Sequence, residues 1–393
     1  MISCQKDLFK IPDNIHYLNG AYMSPFLKIV EKAGHQAISK KCFPYQISGE
    51  DFFTNTNKLK QLFASFIDVE DYRNIAVIPS VSYGIASVAN SIPLTKDDQI
   101  LVVDEQFPSN IYSWQKLATK NHAKIVVSKS PKIEEGRGEK WNLDILQKIN
   151  NNTKIVAIPQ VHWSDGTLFD LVEIRKKANK VGAYLIIDGT QSVGAYPFSV
   201  KNIQPDALIC AGYKWLLGPY SIGLAYFSDA LCERGNPIEE NWINRKNSED
   251  FTGLVNYQDE YQPKSGRFNV GEMSNFHLTP MLIASLKQLT KWRPEIIQEY
   301  TKEISKEAIE KLQQLGCFIE DENYRGNHLF GIYLPNNTNI NQLKTVLAKH
   351  NVFVSFRGNA VRVSPHLYNT KEDFEVLVSC FREVLFKKIR NVQ

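Results

Sequence analysis

Cysteine is scarce in this 393-residue chain and badly placed for structural work. The six cysteines stand at positions 4, 42, 210, 232, 317 and 380, with no C-x-x-C pair and no metal-like spacing. That arrangement argues against a disulfide scaffold or a zinc module and fits a reduced, cytoplasmic protein; no metal site is expected. Long apolar runs are missing too, and none approaches the roughly 20 residues that cross a bilayer. The opening stretch MISCQKDLFKIPDNIHYLNG has no basic segment followed by an apolar one, so no secretory signal is expected. Charge of one sign is equally scarce. A net charge of +4 spread along the chain gives no footing for nucleic acid or for an anionic membrane. No repeat and no low-complexity tract interrupts it.

What is present is the make-up of an ordinary folded protein, 43% hydrophobic and 22% charged, and long enough for one large and one smaller domain. From about residue 74, short Val/Ile-rich runs alternate with longer amphipathic ones. NIAVIPS (74–80), QILVVDE (99–105), AKIVVSK (123–129), KIVAIPQ (154–160), AYLIIDG (183–189) and DALICAG (206–212) are apolar on both faces, as covered parallel strands are. Helical segments such as SNIYSWQKLATKNH and LVEIRKKANKVG lie between them, which predicts βαβ units and a mostly parallel α/β sheet. Residues 229–270 read as loop-rich, and after TPMLIASLKQLTKW (279–292) a long helical pattern runs to about Leu315. A second α/β region follows. The predicted divisions are an N-terminal segment 1–25 near the small domain and the site, a large domain 26–285, and a small domain 286–393.

In an open parallel sheet, ligands gather beyond the carboxyl ends of the strands. Four such ends carry chemistry here. IPSVSYGIAS offers Ser80, Val81 and Ser82 at a helix N-terminus, a cradle for phosphate, although a serine there is also a common cap. LIIDGTQSVGAY ends a strand on Asp188, with Gln191 after it. VDEQFPSNIYSW places Phe107 beyond another strand, where by itself it reads as plain core. IPQVHWSDG supplies His162, Trp163, Ser164 and Asp165. Between an apolar run and a glycine-proline turn sits Lys214, in CAGYKWLLGPYSIG; a buried ammonium without a partner costs several kcal/mol, and the alternative is a lysine that snorkels to the surface from a strand end. A lysine, an acid, an aromatic ring and an anion cradle together suit pyridoxal 5′-phosphate.

These motifs, with DGTQSVGA, AGYKWLLGPYSIG and VRVSPHLYNT in that order, resemble the class V aminotransferases, a branch of the fold-type I pyridoxal-phosphate enzymes. The branch includes cysteine desulfurases, kynureninases and isopenicillin N epimerase-like proteins. The likeness runs from YLNGAYMSP (17–25) to RVSPHLYNT (362–370). It implies a fold-type I transferase with a large domain built on a seven-stranded sheet and a smaller α/β C-terminal domain. It makes Lys214 the Schiff-base lysine, Asp188 the partner of the pyridine nitrogen, and Gln191 a contact of the phenolic oxygen. Val81, Ser82 and Tyr213 fall on phosphate-binding positions, Phe107 on the stacking position, and Ser164 on a cofactor-contacting one. The group His162 to Asp165 departs from the family's asparagine-containing pattern. Trp242, Asn275 and Thr279 resemble parts that reach a neighbouring subunit's phosphate in a homodimer. Arg362 resembles the clamp on a substrate carboxylate, with Arg357 second in line, and Asn19 and Gly20 are placed on the substrate side of the cleft.

The implied reaction is that of an aminotransferase on a small amino acid. A kynureninase-like C–C hydrolase, an epimerase and a β-lyase are alternatives, and an idle cofactor-fold binding protein is a reading of another class. A desulfurase is disfavoured, because NVFVSFRGNAVRVSP holds no cysteine where such an enzyme needs one.

Overall fold

The computed structural model describes residues 2–390, with side chains through residue 385. Among these residues the strands run β1 (His16–Tyr17), β2 (Ile75–Ile78), β3 (Gln99–Val103), β4 (Lys124–Ser128), β5 (Thr153–Pro159), β6 (Tyr184–Asp188), β7 (Ala207–Ala211), β8 (Gly223–Phe227), β9 (Phe330–Tyr333), β10 (Val352–Phe353), β11 (Ser355–Arg357) and β12 (Ala360–Val363). Strands β2 to β8 form one sheet in the order β2-β8-β7-β6-β5-β3-β4. It is a mostly parallel sheet, in which β8 alone runs against both its neighbours. The six apolar runs of the sequence are six of these strands. The seventh, β8, follows β7 through a tight connection closed by the Gly212 amide donating to the Ile222 carbonyl, so it reads as part of the turn.

The period of two divides each strand between two cores. Ile155 and Ala157 of β5 pack on one face with Ile85, Val88 and Trp114, from helices Val81–Ser91 and Tyr112–Asn121. Val156 and Ile158 pack on the other with Phe63, Trp141, Ile174 and Leu286, from helices Asp51–Phe66, Arg137–Lys148, Leu171–Val181 and Leu278–Trp292. This makes three layers with both sheet faces covered. Each fully buried large apolar side chain contributes about 1.5–3 kcal/mol.

The helical pattern to Leu315 is the helix Pro294–Gln314, and TPMLIASLKQLTKW lies in a separate helix before it, Leu278–Trp292. Arg293 between them has φ of 64°, and Pro294 opens the second at a position whose N–H needs no partner. Residue 285, the expected domain boundary, therefore lies inside a helix, and the buried Ser285 hydroxyl donates to the Leu216 carbonyl. We propose that the division falls at Arg293. Beyond it, β11, β12 and β9 form an antiparallel sheet, accompanied by helices Ile340–Lys349 and Lys371–Arg390. The N-terminal segment joins this region: β1 pairs with β10, and Asn19 bridges to Ser364. No helix of the described residues is long and apolar enough to cross a membrane.

A buried ionic knot ties the turn after β5 to β9. Asp165 accepts from Arg137 at 3.0 Å and from the Tyr333 hydroxyl at 2.7 Å, and lies 3.2 Å from His162 Nδ1. The Gly331 amide donates to its carbonyl. Next to it, Gly166 has φ of 80°, and a Cβ there would stand 2.1 Å from the Leu329 carbonyl oxygen. Burial pushes the Asp165 carboxyl up, but the His162 hydrogen bond and the His162 and Arg137 charges outweigh it and hold it well below the usual range. Its contribution is thus complete above the unfolded carboxyl value and fades as pH falls through it toward the folded one. Asp165→Asn should lose about 3–5 kcal/mol at neutral pH, because it strands the Arg137 charge. Denaturant melts should show that gap narrowing below about pH 4; a pH-independent gap would mean the pair carries no charge.

Candidate active site

The carboxyl ends of the parallel strands lie along one edge of the sheet, and two adjoining cavities open there. The inner one, about 290 Å³, is lined from β2 by Pro79 to Ser82, from β6 by Asp188, Thr190 and Gln191, and from β7 by Ala211, Tyr213 and Lys214. The outer one, about 370 Å³, is lined by Ala21, Tyr22 and Met23 of the N-terminal segment and by Arg357 and Arg362 of the β11–β12 hairpin. Phe107, Trp163, Tyr213, Lys214 and Tyr220 line both. Lys214 stands at the junction.

Local backbone rules place each group. Ser80 caps helix Val81–Ser91, its Oγ accepting from the Tyr83 amide at 3.2 Å and lying 2.9 Å from Ser82 Oγ. Val81 and Ser82, whose amides have no partner within the helix, line the inner cavity beside these hydroxyls. Asp188 is the last residue of β6, and its Oδ1 accepts the Thr190 amide at 3.0 Å. The turn after it needs Gly194, with φ of 113°, where a Cβ would lie 2.2 Å from the Trp215 carbonyl oxygen. Lys214 rides on the tight turn after β7, in which the Leu217 amide donates to the Lys214 carbonyl.

The lysine is buried, and among the described residues its amine has no hydrogen bond and no ion pair. It lies instead 5.4 Å from the Phe107 ring centre and 5.5 Å from that of Tyr213. Burial, then the Arg362 charge, lower it to about 8, with Asp188 opposing. Burial raises Asp188 in turn. Arg362 is 1% exposed and donates to the Trp163 carbonyl at 2.8 Å, while its Nε has no partner. Burial and Arg357 push it down. Asp188 is the single carboxylate in either lining.

Several predicted site residues gather here: Lys214, Asp188, Gln191, Val81, Ser82, Phe107, Tyr213 and Arg362. Gln191 spans Trp215 Nε1 and the Ala21 carbonyl, which leaves one amide N–H for a ligand. Others do not. Ser164 is buried with its hydroxyl 2.9 Å from His162 Nδ1, and its neighbour Trp163 takes the place at the cavity wall. Asn19 accepts from Ser355 Oγ at 2.7 Å and Gly20 packs on Ser364 and Tyr368, so the next three residues line the outer cavity instead. Asn275 caps the amides of His277 and Leu278, Trp242 packs against Phe52 and Phe251, and Thr279 is buried in helix Leu278–Trp292. Within one chain none of the three reaches either cavity. Sequence reading missed Tyr22, Met23 and Tyr220, for which the sequence carries no local signal.

The donor set fits pyridoxal phosphate. An amine without a partner, a buried acid opposite it and a helix N-terminus with two hydroxyls surround a space flanked by an aromatic ring. Residues 45–377 match the family described as aminotransferase class-V. The chain is 27% identical over 311 residues to the uncharacterized aminotransferase YcbU of Bacillus subtilis, covering 79% of each. It is 24% identical to a probable cysteine desulfurase of Borreliella burgdorferi, covering 95% of this chain and 89% of the relative. The fold resembles that of the apo cysteine desulfurase of Thermococcus onnurineus, with a TM-score of 0.84 at 20% identity, covering 98% and 99% of the two chains. The chain therefore belongs to the class-V aminotransferase family, the pyridoxal-phosphate-dependent enzymes whose fold and cofactor fit this site.

Proposed function

We propose that the enzyme is an aminotransferase, with the cofactor in the inner cavity and an α-amino acid in the outer one. The observation that carries this is the position of Lys214, unpaired at the junction of the two. When bound, the cofactor supplies an electron sink that acidifies the α-carbon of the amino acid. Ser80, Val81 and Ser82 would hold its phosphate, Asp188 its pyridine nitrogen, Phe107 a ring face and Gln191 the phenolic oxygen.

The remaining work falls to the chain's own groups. The Arg362 fork is the natural partner of the α-carboxylate, because a guanidinium meets a carboxylate bidentately. Trp163 and Tyr22 line the space the amino acid would occupy. The proton on the α-carbon needs a carrier that titrates near neutrality, and Lys214 Nζ, lowered to about 8, is that group. The Tyr213 hydroxyl is raised by burial and keeps its proton. Neither lining offers a histidine, and a single base on one side suits transamination better than epimerisation, which needs a second carrier opposite.

A desulfurase is disfavoured although relatives carry that name. Neither cavity is lined by cysteine, and Cys210, Cys232, Cys317 and Cys380 are buried. The β11–β12 turn that holds the arginines is Gly358–Asn359, with no thiol.

Trp242, Asn275 and Thr279, remote from the cavities of their own chain, are proposed to complete the partner's site in a homodimer. The buried Thr279 Oγ1 has no partner among the described residues, and Tyr22 and Met23 of the outer lining, with Phe26 and Ile29 after them in sequence, leave apolar surface exposed. Light scattering should give twice the chain mass; a monomer with full cofactor occupancy would remove the three residues from the site.

Borohydride reduction of the holoenzyme followed by peptide mapping should place the pyridoxyl group on Lys214, and Lys214→Ala should abolish the adduct. An amino acid added before reduction should yield a 2-oxo acid. An adduct on another lysine sinks the site; pyruvate with ammonia, or an aromatic acid, in place of the corresponding 2-oxo acid sinks transamination.

A further inference from the structure

The outer cavity holds more positive charge than one carboxylate can answer. In the β11–β12 hairpin Ser355 pairs with Arg362 and Arg357 with Ala360. Side chains two apart on a strand share a face, and cross-strand partners share it too. Arg357 and Arg362 are therefore diagonal neighbours on one face, about 7–8 Å apart at their backbones, and both line the outer cavity. Two like charges so placed repel each other.

Neither arginine has an ion pair among the described residues, and the outer lining contains no acid. Arg362 Nε and Arg357 Nε are both buried and without a partner. Arg357 donates from Nη1 only to the neighbouring Phe356 carbonyl at 2.9 Å, and its guanidinium is held 5.6 Å from the centre of the Trp163 ring. Two guanidinium groups thus face one cavity, which the Lys214 amine also lines. A single carboxylate satisfies Arg362, which is fixed by the Trp163 carbonyl and by Ser355 Oγ. Arg357, half-buried and held over Trp163, is left facing the space where the amino acid's side chain would lie.

Resting on the amino-acid reading above, we propose that Arg357 is a second anion subsite and that the substrate is a dicarboxylic amino acid. Arg362 takes the α-carboxylate and Arg357 the side-chain carboxylate. The preference is one of binding and needs no further chemistry: a neutral side chain leaves a desolvated guanidinium unanswered, an acidic one pairs it.

Unreactive acids test this without turnover. Calorimetric titration of the holoenzyme with succinate and glutarate, against butyrate and valerate of the same chain lengths, should show at least one dicarboxylate binding about tenfold tighter or more, which is about 1.4 kcal/mol. Arg357→Gln should shrink that preference to within about twofold, whereas Arg362→Gln should weaken mono- and dicarboxylates alike. On the active enzyme, aspartate or glutamate should exceed asparagine or glutamine in kcat/KM by a similar factor. Equal affinity of the paired acids for the unaltered enzyme overturns the proposal even if no variant folds, as does a preference that survives Arg357→Gln. Absence of a pyridoxyl adduct on Lys214 would overturn the amino-acid reading itself; an adduct on Lys214 with no dicarboxylate preference overturns only the second subsite.

Discussion

The site depends on basic groups buried without an ion-paired acid among the described residues. Lys214 and Arg362 are both taken from water, and the only carboxylate lining the cavities, Asp188, lies on the inner side. A folded chain tolerates such an arrangement only where the rest of the structure holds it rigidly, because an unpaired buried ion costs several kcal/mol. The support is visible. Trp163 lends its carbonyl to Arg362 and its ring to Arg357, while its own indole N–H donates to the Glu105 carbonyl at 2.6 Å. The Asp165 knot two residues on fixes that turn to β9, and β9 is paired with β12, which carries Arg362. The large sheet and the small one are thus joined at the point where the two cavities meet.

The same arrangement explains the chemistry assigned to the lysine. Burial and a neighbouring guanidinium both favour the uncharged amine, which is the nucleophilic and proton-accepting form. A carboxylate arriving at Arg362 would relieve the electrostatic load.

Much of this was legible in the sequence because strands buried on both faces leave continuous apolar runs, and because parallel strands present their last residues at one edge. Asp188, Lys214 and the Ser80–Ser82 cradle follow from those two rules, whereas Phe107 reads as core by itself and joins the site only through the family resemblance. The choice between Trp163 and Ser164 did not. It turns on which way the chain leaves β5, and the alternation of side chains past Pro159 sends one into the cavity and the other back to His162. Arg137 as partner of Asp165 was equally hidden, since the two belong to different elements and meet only through the fold. The single-residue slips at Asn19 and Gly20 have a similar cause: the segment's register is set by its bridge to Ser364, at the far end of the chain. The break at Arg293 was signalled by Pro294, and the helical periodicity on both sides masked it.

Competitive acetylation of the cofactor-free protein across about pH 6–11, read peptide by peptide, reports the titration of the Lys214 amine against the ordinary lysine value near 10.4. A midpoint near 8, moving upward in Arg362→Gln, is the predicted result. A midpoint at the value of the exposed lysines, unmoved by Arg362→Gln, would contradict the account.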